Sequence, residues 1–305
     1  MANVGKYAIV DNKIIETKEA KISITSSAVL YGLSVYSVFY GKLTKEGNFL
    51  LFRVTDHLQR LKSSAKMIGF TNSDDKIDEN KFLEQLQELI NKNAPQTDQF
   101  FRVTLHAVEE VPGVKTSNLK LSLSLFMYDA VNILPQDQAK IKTSLWRRTA
   151  DTAIPARAKV NGAYVNSALA KQDALDAGFD DCLFLNQNGY VSELSAANVF
   201  MIKNDTLITP DCASDILEGI TRRSIIELAK ESGIEVIERK VALTELYTAD
   251  EVFACGTSAF VSPIVNVDGR IIASGKPGHH TIELKDKLKK TQLDKSSNWV
   301  TELHS

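Results

Sequence analysis

Stretches that alternate apolar with polar residues, and stretches with helical spacing, succeed one another along the first part of the chain. Tyr7 to Val10 and Ile14-Ile15 flank Asp11-Asn12, a pattern that predicts a β-hairpin. Leu58, Leu61, Ala65 and Ile68 recur at helical spacing, with Asp56 as the expected N-cap and Gly69 as the expected stop. A second helix is expected around Phe82, Leu83, Leu86, Leu89 and Ile90. Strict alternation then takes over in Phe101, Val103, Leu105 and Ala107, and again in Leu119, Leu121, Leu123 and Leu125. Two strands, each with one apolar face, are expected there.

Asp129 to Gln138 contains Pro135 and little periodicity, and marks an interdomain linker between a domain over 1–128 and another over 139–305. Beyond it the pattern changes to short strands, tight turns and intervening helices. Asn188-Gly189 and Asp268-Gly269 are hairpin turns, and Asn204-Asp205 joins Val199 to Ile202 with Leu207-Ile208. A helix is expected from Thr221 to Ser232, with Ile225, Ile226, Leu228 and Ala229 inward and Gly233 closing it. The charged residues from about Lys285 onward are expected to cover the surface.

Composition narrows the function classes. A chain of 305 residues suits two domains, and 44% apolar with 24% charged residues is ordinary for a globular protein. With 36 basic and 38 acidic side chains, nothing favours bulk attraction to nucleic acid or an anionic membrane. No run approaches the roughly 18 apolar residues of a membrane span, and Met1 to Val10 lacks the layout of a secretory signal. Cys182, Cys212 and Cys255 are few, odd in number and far apart, which fits reduced thiols in the cytoplasm. No metal centre is expected.

Four segments carry candidate chemistry, and each has an ordinary alternative. Lys159 sits among small and apolar neighbours that would desolvate an amine, as a Schiff-base lysine requires, although most lysines are solvated surface groups. Glu193, after the Asn188-Gly189 turn, is a carboxylate fit to pair with a protonated ring nitrogen, or simply a surface glutamate. Gly219-Ile220-Thr221 precedes a helix, where free N–H groups and the helix dipole hold phosphate, but where capping by Thr is commoner. Gly256-Thr257-Ser258 is either an anion-binding turn or a merely polar one.

Taken in order, these segments resemble the class IV aminotransferases, the fold-type IV group of pyridoxal-phosphate enzymes. The resemblance runs over almost the whole chain. It includes Tyr31-Gly32-Leu33-Ser34-Val35-Tyr36, Phe52-Arg53 through His57-Leu58-Gln59-Arg60-Leu61, and Ile154-Pro155 through Lys159 to Tyr164. It continues in Gly189-Tyr190-Val191-Ser192-Glu193 with Asn198-Val199-Phe200, in Gly219-Ile220-Thr221-Arg222, and in Ala249-Asp250-Glu251-Val252-Phe253 with Gly256-Thr257.

The resemblance implies a two-domain α/β fold, a small N-terminal α/β domain and a larger one built on a β-barrel-like sheet, with pyridoxal 5'-phosphate at their interface. By the same resemblance Lys159 is the catalytic Schiff-base and proton-transfer residue. Glu193 would pair with the ring nitrogen, and Tyr164 would hydrogen-bond the ring hydroxyl oxygen. Arg60, Ile220, Thr221 and Thr257 would hold the phosphate, while Leu217 packs on the ring face. A homodimer or larger assembly is implied, with the Tyr31 region completing the neighbouring subunit's site.

On the substrate side, the C-terminal half looks most like branched-chain amino-acid aminotransferases, in Gly256-Thr257-Ser258-Ala259 and Val267-Asp268-Gly269. This implies ping-pong transfer from a branched-chain L-amino acid to 2-oxoglutarate. Tyr31, Tyr36, Arg102, Tyr128 and Ser258 are the candidate substrate residues. Tyr31, Tyr36, Tyr40, Phe100 and Tyr128 would line an aromatic pocket or serve as core, and Arg102 would bind a carboxylate or face solvent. The N-terminal half departs: Tyr36-Ser37-Val38-Phe39-Tyr40 replaces the usual Phe-Glu-Gly-x-Arg and looks more like (R)-selective amine transaminases. A D-amino-acid or (R)-amine transaminase is therefore the alternative, followed by an aminodeoxychorismate lyase and a non-catalytic binding protein.

Overall fold

The structure, a computed structural model, describes residues 2–110 and 113–304. The chain divides into two compact units. One comprises residues 1–131, 158–163 and 291–305, the other 132–157 and 164–290.

The first unit opens with the expected hairpin, β1 (Tyr7–Val10) and β2 (Lys13–Glu16), turning on Asp11 and Asn12 at positive φ. A short helix α1 (Ser27–Tyr31) leads into β3 (Ser34–Leu43), β4 (Phe49–Phe52), α2 (Val54–Met67), α3 (Glu79–Asn93), β5 (Gln99–Ala107) and β6 (Leu121–Asp129). Asp56 does not cap α2. The helix starts three residues earlier, with left-handed Arg53 at its N-cap, and Asp56 lies in its first turn, where it accepts from Arg53 Nε at 2.7 Å. The carboxylate thus meets the helix dipole one turn inside the position expected.

Among the described residues the sheet has seven strands, in the order C-terminal strand (Val300–Leu303), β4, β3, β5, β6, β1, β2. The charged C-terminal segment therefore does more than cover the surface, because Val300–Leu303 pairs antiparallel with β4. Alternation divides the sheet faces. Phe39, Phe101 and Phe49 pack together, Phe39 and Phe101 stacked at 5.3 Å, and Phe82 of α3 meets the edge of Phe39 at 6.2 Å. Leu58, Leu61, Leu86 and Leu89 are buried with them. The opposite face carries Tyr36, Val38 and Tyr40 of β3, across from Thr104, Arg102 and Phe100 of β5.

The second unit runs β7 (Ala139–Thr143), α4 (Tyr164–Asp176), β8 (Asp181–Leu185), β9 (Val191–Leu194), β10 (Asn198–Lys203), β11 (Thr206–Thr209), α5 (Ile220–Glu231) and β12 (Glu235–Glu238). It continues through α6 (Leu243–Tyr247), β13 (Glu251–Gly256), β14 (Phe260–Val267), β15 (Arg270–Ile271) and α7 (His279–Thr291). The strand order is β12-β11-β10-β13-β14-β7-β8-β9, with β15 on β14. The sheet curls into a half-barrel: β9, at one end of that order, returns beside β10, where Leu194 N–H donates to Ala197 O at 2.8 Å. The parallel pair β11/β12 is bridged by α5, the crossover that parallel pairing demands. Val199, Met201, Val252, Ala254, Ile264 and Leu183 form the core of the curl. No helix among the described residues is long and apolar enough to cross a membrane.

Candidate functional site

The lysine segment belongs to the first unit because it is hydrogen-bonded there as an added stretch of strand. Tyr36 N–H donates to Lys159 O at 3.0 Å, Asn161 N–H to Ser34 O at 2.9 Å, and Val35 and Val160 form an isolated bridge. Lys159 N–H donates to Ser64 Oγ of α2 at 3.1 Å. The approach is close. Gly32 adopts φ +67°, and a Cβ there would lie 2.9 Å from Gly162 Cα, which is backbone and cannot turn aside. Gly32→Ala is therefore expected to destabilise the protein by roughly 1–3 kcal/mol in urea unfolding. An unchanged midpoint would show that the segment can shift.

These contacts put chemistry around one ring. Lys159 Nζ lies 4.8 Å from the Tyr36 ring centroid, and the Arg102 guanidinium stacks on the same ring at 3.7 Å. Arg102 Nη2 donates to Asn161 Oδ1 at 2.6 Å, and Asn161 Nδ2 donates to Ser34 Oγ at 2.6 Å. Arg102 is half-buried and tied to the lysine segment rather than pointing into solvent. Half-buried Tyr128 stands on the same face, its ring 5.7 Å from Phe100, and burial raises its hydroxyl pKa while the Arg102 charge partly offsets this. Phe100 is fully buried and Tyr40 donates to Asp98 Oδ2 at 2.7 Å, so these two are core aromatics. Tyr31, at the end of α1, is 38% exposed. Arg60 of α2 donates through Nη2 to Ser37 Oγ at 3.1 Å, and the same hydroxyl meets His57 Nδ1 at 2.9 Å.

His106, two residues along this face from Thr104, has its pKa lowered to about 4 by burial and then by the Arg102 charge. It meets Ser124 Oγ at 2.8 Å. The unfolded chain binds this proton near pH 6.5, so folding expels it between that pH and about 4. Stability supplied by neutral His106 is complete above pH 6.5 and is lost as pH falls, at up to roughly 1.4 kcal/mol per unit. Subtracting the stability–pH curve of His106→Gln from that of the native protein is expected to isolate this slope. Parallel curves would contradict it.

In the second unit the buried Glu193 carboxylate of β9 is fully engaged. Oε1 accepts from Arg148, Nε at 2.9 Å and Nη2 at 2.8 Å, while Oε2 accepts from Asn198 Nδ2 and from Leu217 N–H, each at 3.1 Å. Asn198 Nδ2 also donates to Leu217 O at 2.9 Å, which fixes the chain just before α5. That helix starts at Gly219, where no described side chain caps it, followed by buried Ile220 and Thr221. A Cβ at Gly219 would lie 2.2 Å from Asn198 Oδ1, so any larger residue there would displace the Asn198 side chain from Glu193 and Leu217. Strand register pairs Asn198 with Cys255, bringing the Gly256-Thr257-Ser258 turn to the same end of β10. There Ser258 O accepts from Ile133 N–H at 3.0 Å. Tyr164 is the first residue of α4.

The structure thus gathers Lys159, Tyr36, Arg102 and Tyr128 in one group, and Glu193, Leu217, Ile220 and Thr221 in another. It adds Asn161, Ser37 and Asn198, which pattern reading had not singled out as site residues, and it sets Arg148 against Glu193. Asn161 and Asn198 stand within the motif segments themselves; the pairing of Arg148 with Glu193 had no signal, since the two are 45 residues apart. Chemically the groups offer an amine beside a guanidinium, a buried anion, and an uncapped helix start suited to phosphate.

The amino-transferase class IV family model matches residues 38–267. A probable branched-chain-amino-acid aminotransferase of Aquifex aeolicus is 36% identical over 305 residues, covering 98% of this chain and 97% of that protein. The branched-chain aminotransferase of Thermoproteus uzoniensis, solved with norvaline, superposes with a TM-score of 0.91 at 28% identity, over 98% of this chain and 100% of that one. The enzyme from Thermobaculum terrenum, in its PLP-bound holo form, gives 0.91 at 31% identity over 99% of both chains. With a family model across three quarters of its length and a relative this similar end to end, the chain belongs to the class IV aminotransferases.

Proposed function

We propose that the protein transfers the amino group of a branched-chain L-amino acid to 2-oxoglutarate, using pyridoxal 5'-phosphate. The observation that carries the reading is the amine of Lys159 beside the Arg102 guanidinium on the Tyr36 ring. The cofactor fits the residues present. The uncapped start of α5, with a glycine where a Cβ would clash, suits a phosphate, and the buried Glu193 anion suits a protonated ring nitrogen. Arg60, Ile220, Thr221 and Thr257 would hold the phosphate, Tyr164 the ring hydroxyl oxygen, Leu217 the ring face, and Lys159 the aldehyde carbon. When bound, pyridoxal phosphate supplies an electron sink that acidifies the donor's Cα–H.

The chain's own residues do the rest. Lys159 Nζ takes the proton from the donor Cα and returns it on the other side of the transfer. Arg102, held by Asn161 and Tyr36, binds a carboxylate of donor or acceptor as a charge-assisted fork. Tyr31, Tyr36, Tyr128 and Ser258 border the side chain. Donor and acceptor occupy this place in turn, which makes the kinetics ping-pong. Val29, Leu30 and Tyr31, large apolar residues exposed on α1, support a homodimer or larger assembly. Free thiols at Cys182, Cys212 and Cys255 support work in the reducing cytoplasm.

Half-reactions distinguish the substrates. L-leucine is expected to convert the cofactor's visible absorption to that of its amine form, whereas D-alanine and (R)-1-phenylethylamine leave it unchanged. Ser37 and Val38, standing where branched-chain enzymes carry Glu and Gly, favour the second reading, a D-amino-acid or (R)-amine transaminase. Conversion by those donors alone would establish it.

A further inference from the structure

Two imidazoles and a carboxylate meet in the second unit at the far end of β10 from Asn198. Asp205 lies in the β10–β11 turn, and His279 and His280 open α7. Each can offer one ligand atom such that the three atoms lie within 4.8 Å of one another. His280 Nε2 is 3.1 Å from Asp205 Oδ1, and the two imidazole centroids are 3.9 Å apart. His280 Nδ1 is buried with no hydrogen-bond partner, which leaves Nε2, the nitrogen facing Asp205, as the ligand atom.

The surroundings suit a cation. The buried Glu251 carboxylate accepts from His280 N–H at 3.1 Å, Thr281 N–H at 2.8 Å and Thr281 Oγ1 at 2.6 Å. It also stands 3.6 Å from His279 Nδ1. The first N–H groups of α7, whose dipole would repel a cation, are therefore already engaged by an anion. Asp205 and Glu251 carry charge of the sign that balances a dication. Two imidazole nitrogens with a carboxylate oxygen are the donor set of zinc and its first-row neighbours, whereas magnesium and calcium prefer oxygen alone.

We propose that Asp205, His279 and His280 bind a divalent transition-metal ion of the zinc class, separate from the transamination site, with Glu251 orienting His279 and holding the start of α7 from behind. The ion ties the β10–β11 turn to the start of α7 and completes its coordination with water. Neither composition nor motif spacing had pointed to a metal, because the three ligands come from two segments distant in sequence.

The test is to dialyse the holoenzyme against a chelator and titrate it with Co²⁺ and with Zn²⁺, following heat and the d–d absorption of Co²⁺. One equivalent per chain is expected, with a visible band typical of low-coordinate cobalt that Zn²⁺ displaces, and with a melting temperature raised by Zn²⁺. The double variant His279→Ala plus His280→Ala is expected to lose that equivalent. Asp205→Asn is expected to bind at least about tenfold more weakly, the scale of losing an oriented partner at a metal. The Asp205 side chain is 84% exposed, so Asp205→Asn is expected to stay folded and keeps the result readable. No stoichiometric uptake, or equal uptake by the double variant, would overturn the proposal.

Discussion

Lys159→Ala is expected to reduce transamination of L-leucine by at least roughly 10⁴-fold, the upper range of what a positioned proton-transfer group contributes. The fold should survive. Lys159 meets the first unit through its main chain, its N–H donating to Ser64 and its carbonyl accepting from Tyr36, and alanine keeps both contacts. The side chain is half-buried, so its removal costs some packing of the aliphatic stem but leaves no new buried charge. Single-turnover kinetics read the rate, and urea unfolding reads the fold. A second readout separates chemistry from architecture: the visible absorption of added pyridoxal phosphate is expected to match that of the free aldehyde in Lys159→Ala. A variant within tenfold of the native rate would refute the assignment of Lys159.

The second large effect concerns stability. Removing one member of a buried ion pair leaves an uncompensated charge and costs about 3–5 kcal/mol. Arg148 and Glu193 have side chains only 11% and 8% exposed, and Arg148 makes two contacts with Oε1. Arg148→Met is expected at the lower end, about 3 kcal/mol, because Oε2 keeps its donors from Asn198 and Leu217. The double variant Arg148→Met with Glu193→Leu removes the uncompensated charge but also takes the acceptor from Leu217 N–H, so it should recover only part of that loss. It should not recover cofactor affinity, because the carboxylate proposed to pair with the ring nitrogen is gone. Denaturant midpoints and equilibrium dialysis of pyridoxal phosphate measure the two effects separately. A single variant as stable as the native protein would mean that water reaches Glu193.

Local chemistry explains which elements were legible in the sequence. Asp11-Asn12, Asn204-Asp205 and Asp268-Gly269 all turn at positive φ, a conformation that Asn, Asp and Gly adopt with little strain, and each joins the hairpin expected. Gly233, at φ +75°, follows α5 where a stop was expected. The start of α2 was misread because Arg53 takes a left-handed conformation that its residue type does not favour, held by Asp56 and by its guanidinium 4.1 Å over the Trp299 ring. The C-terminal strand was invisible because Val-Thr-Glu-Leu carries little alternation and its partner is β4. At the candidate site, motif residues could be named one by one, but not their neighbours. Arg148 reaches Glu193, and Arg102 reaches Asn161, across separations of 45 and 59 residues, and only folding reveals such pairs.

That last strand has a consequence for how the protein is made. Asn48 Nδ2 donates to Glu302 Oε1 across 254 positions, at the edge where Val300–Leu303 closes the first sheet. A ribosome adding about 5–20 residues per second needs on the order of tens of seconds to travel from one to the other. Throughout that interval β4 lacks its outer neighbour, and the lysine segment that lies along β3 arrives only midway. The N-terminal unit, although translated first, is thus finished last, with an edge open to foreign strands until Val300–Leu303 emerges. Chains cut short before Val300 should therefore engage chaperones or aggregate, even though every residue of the second unit has been made.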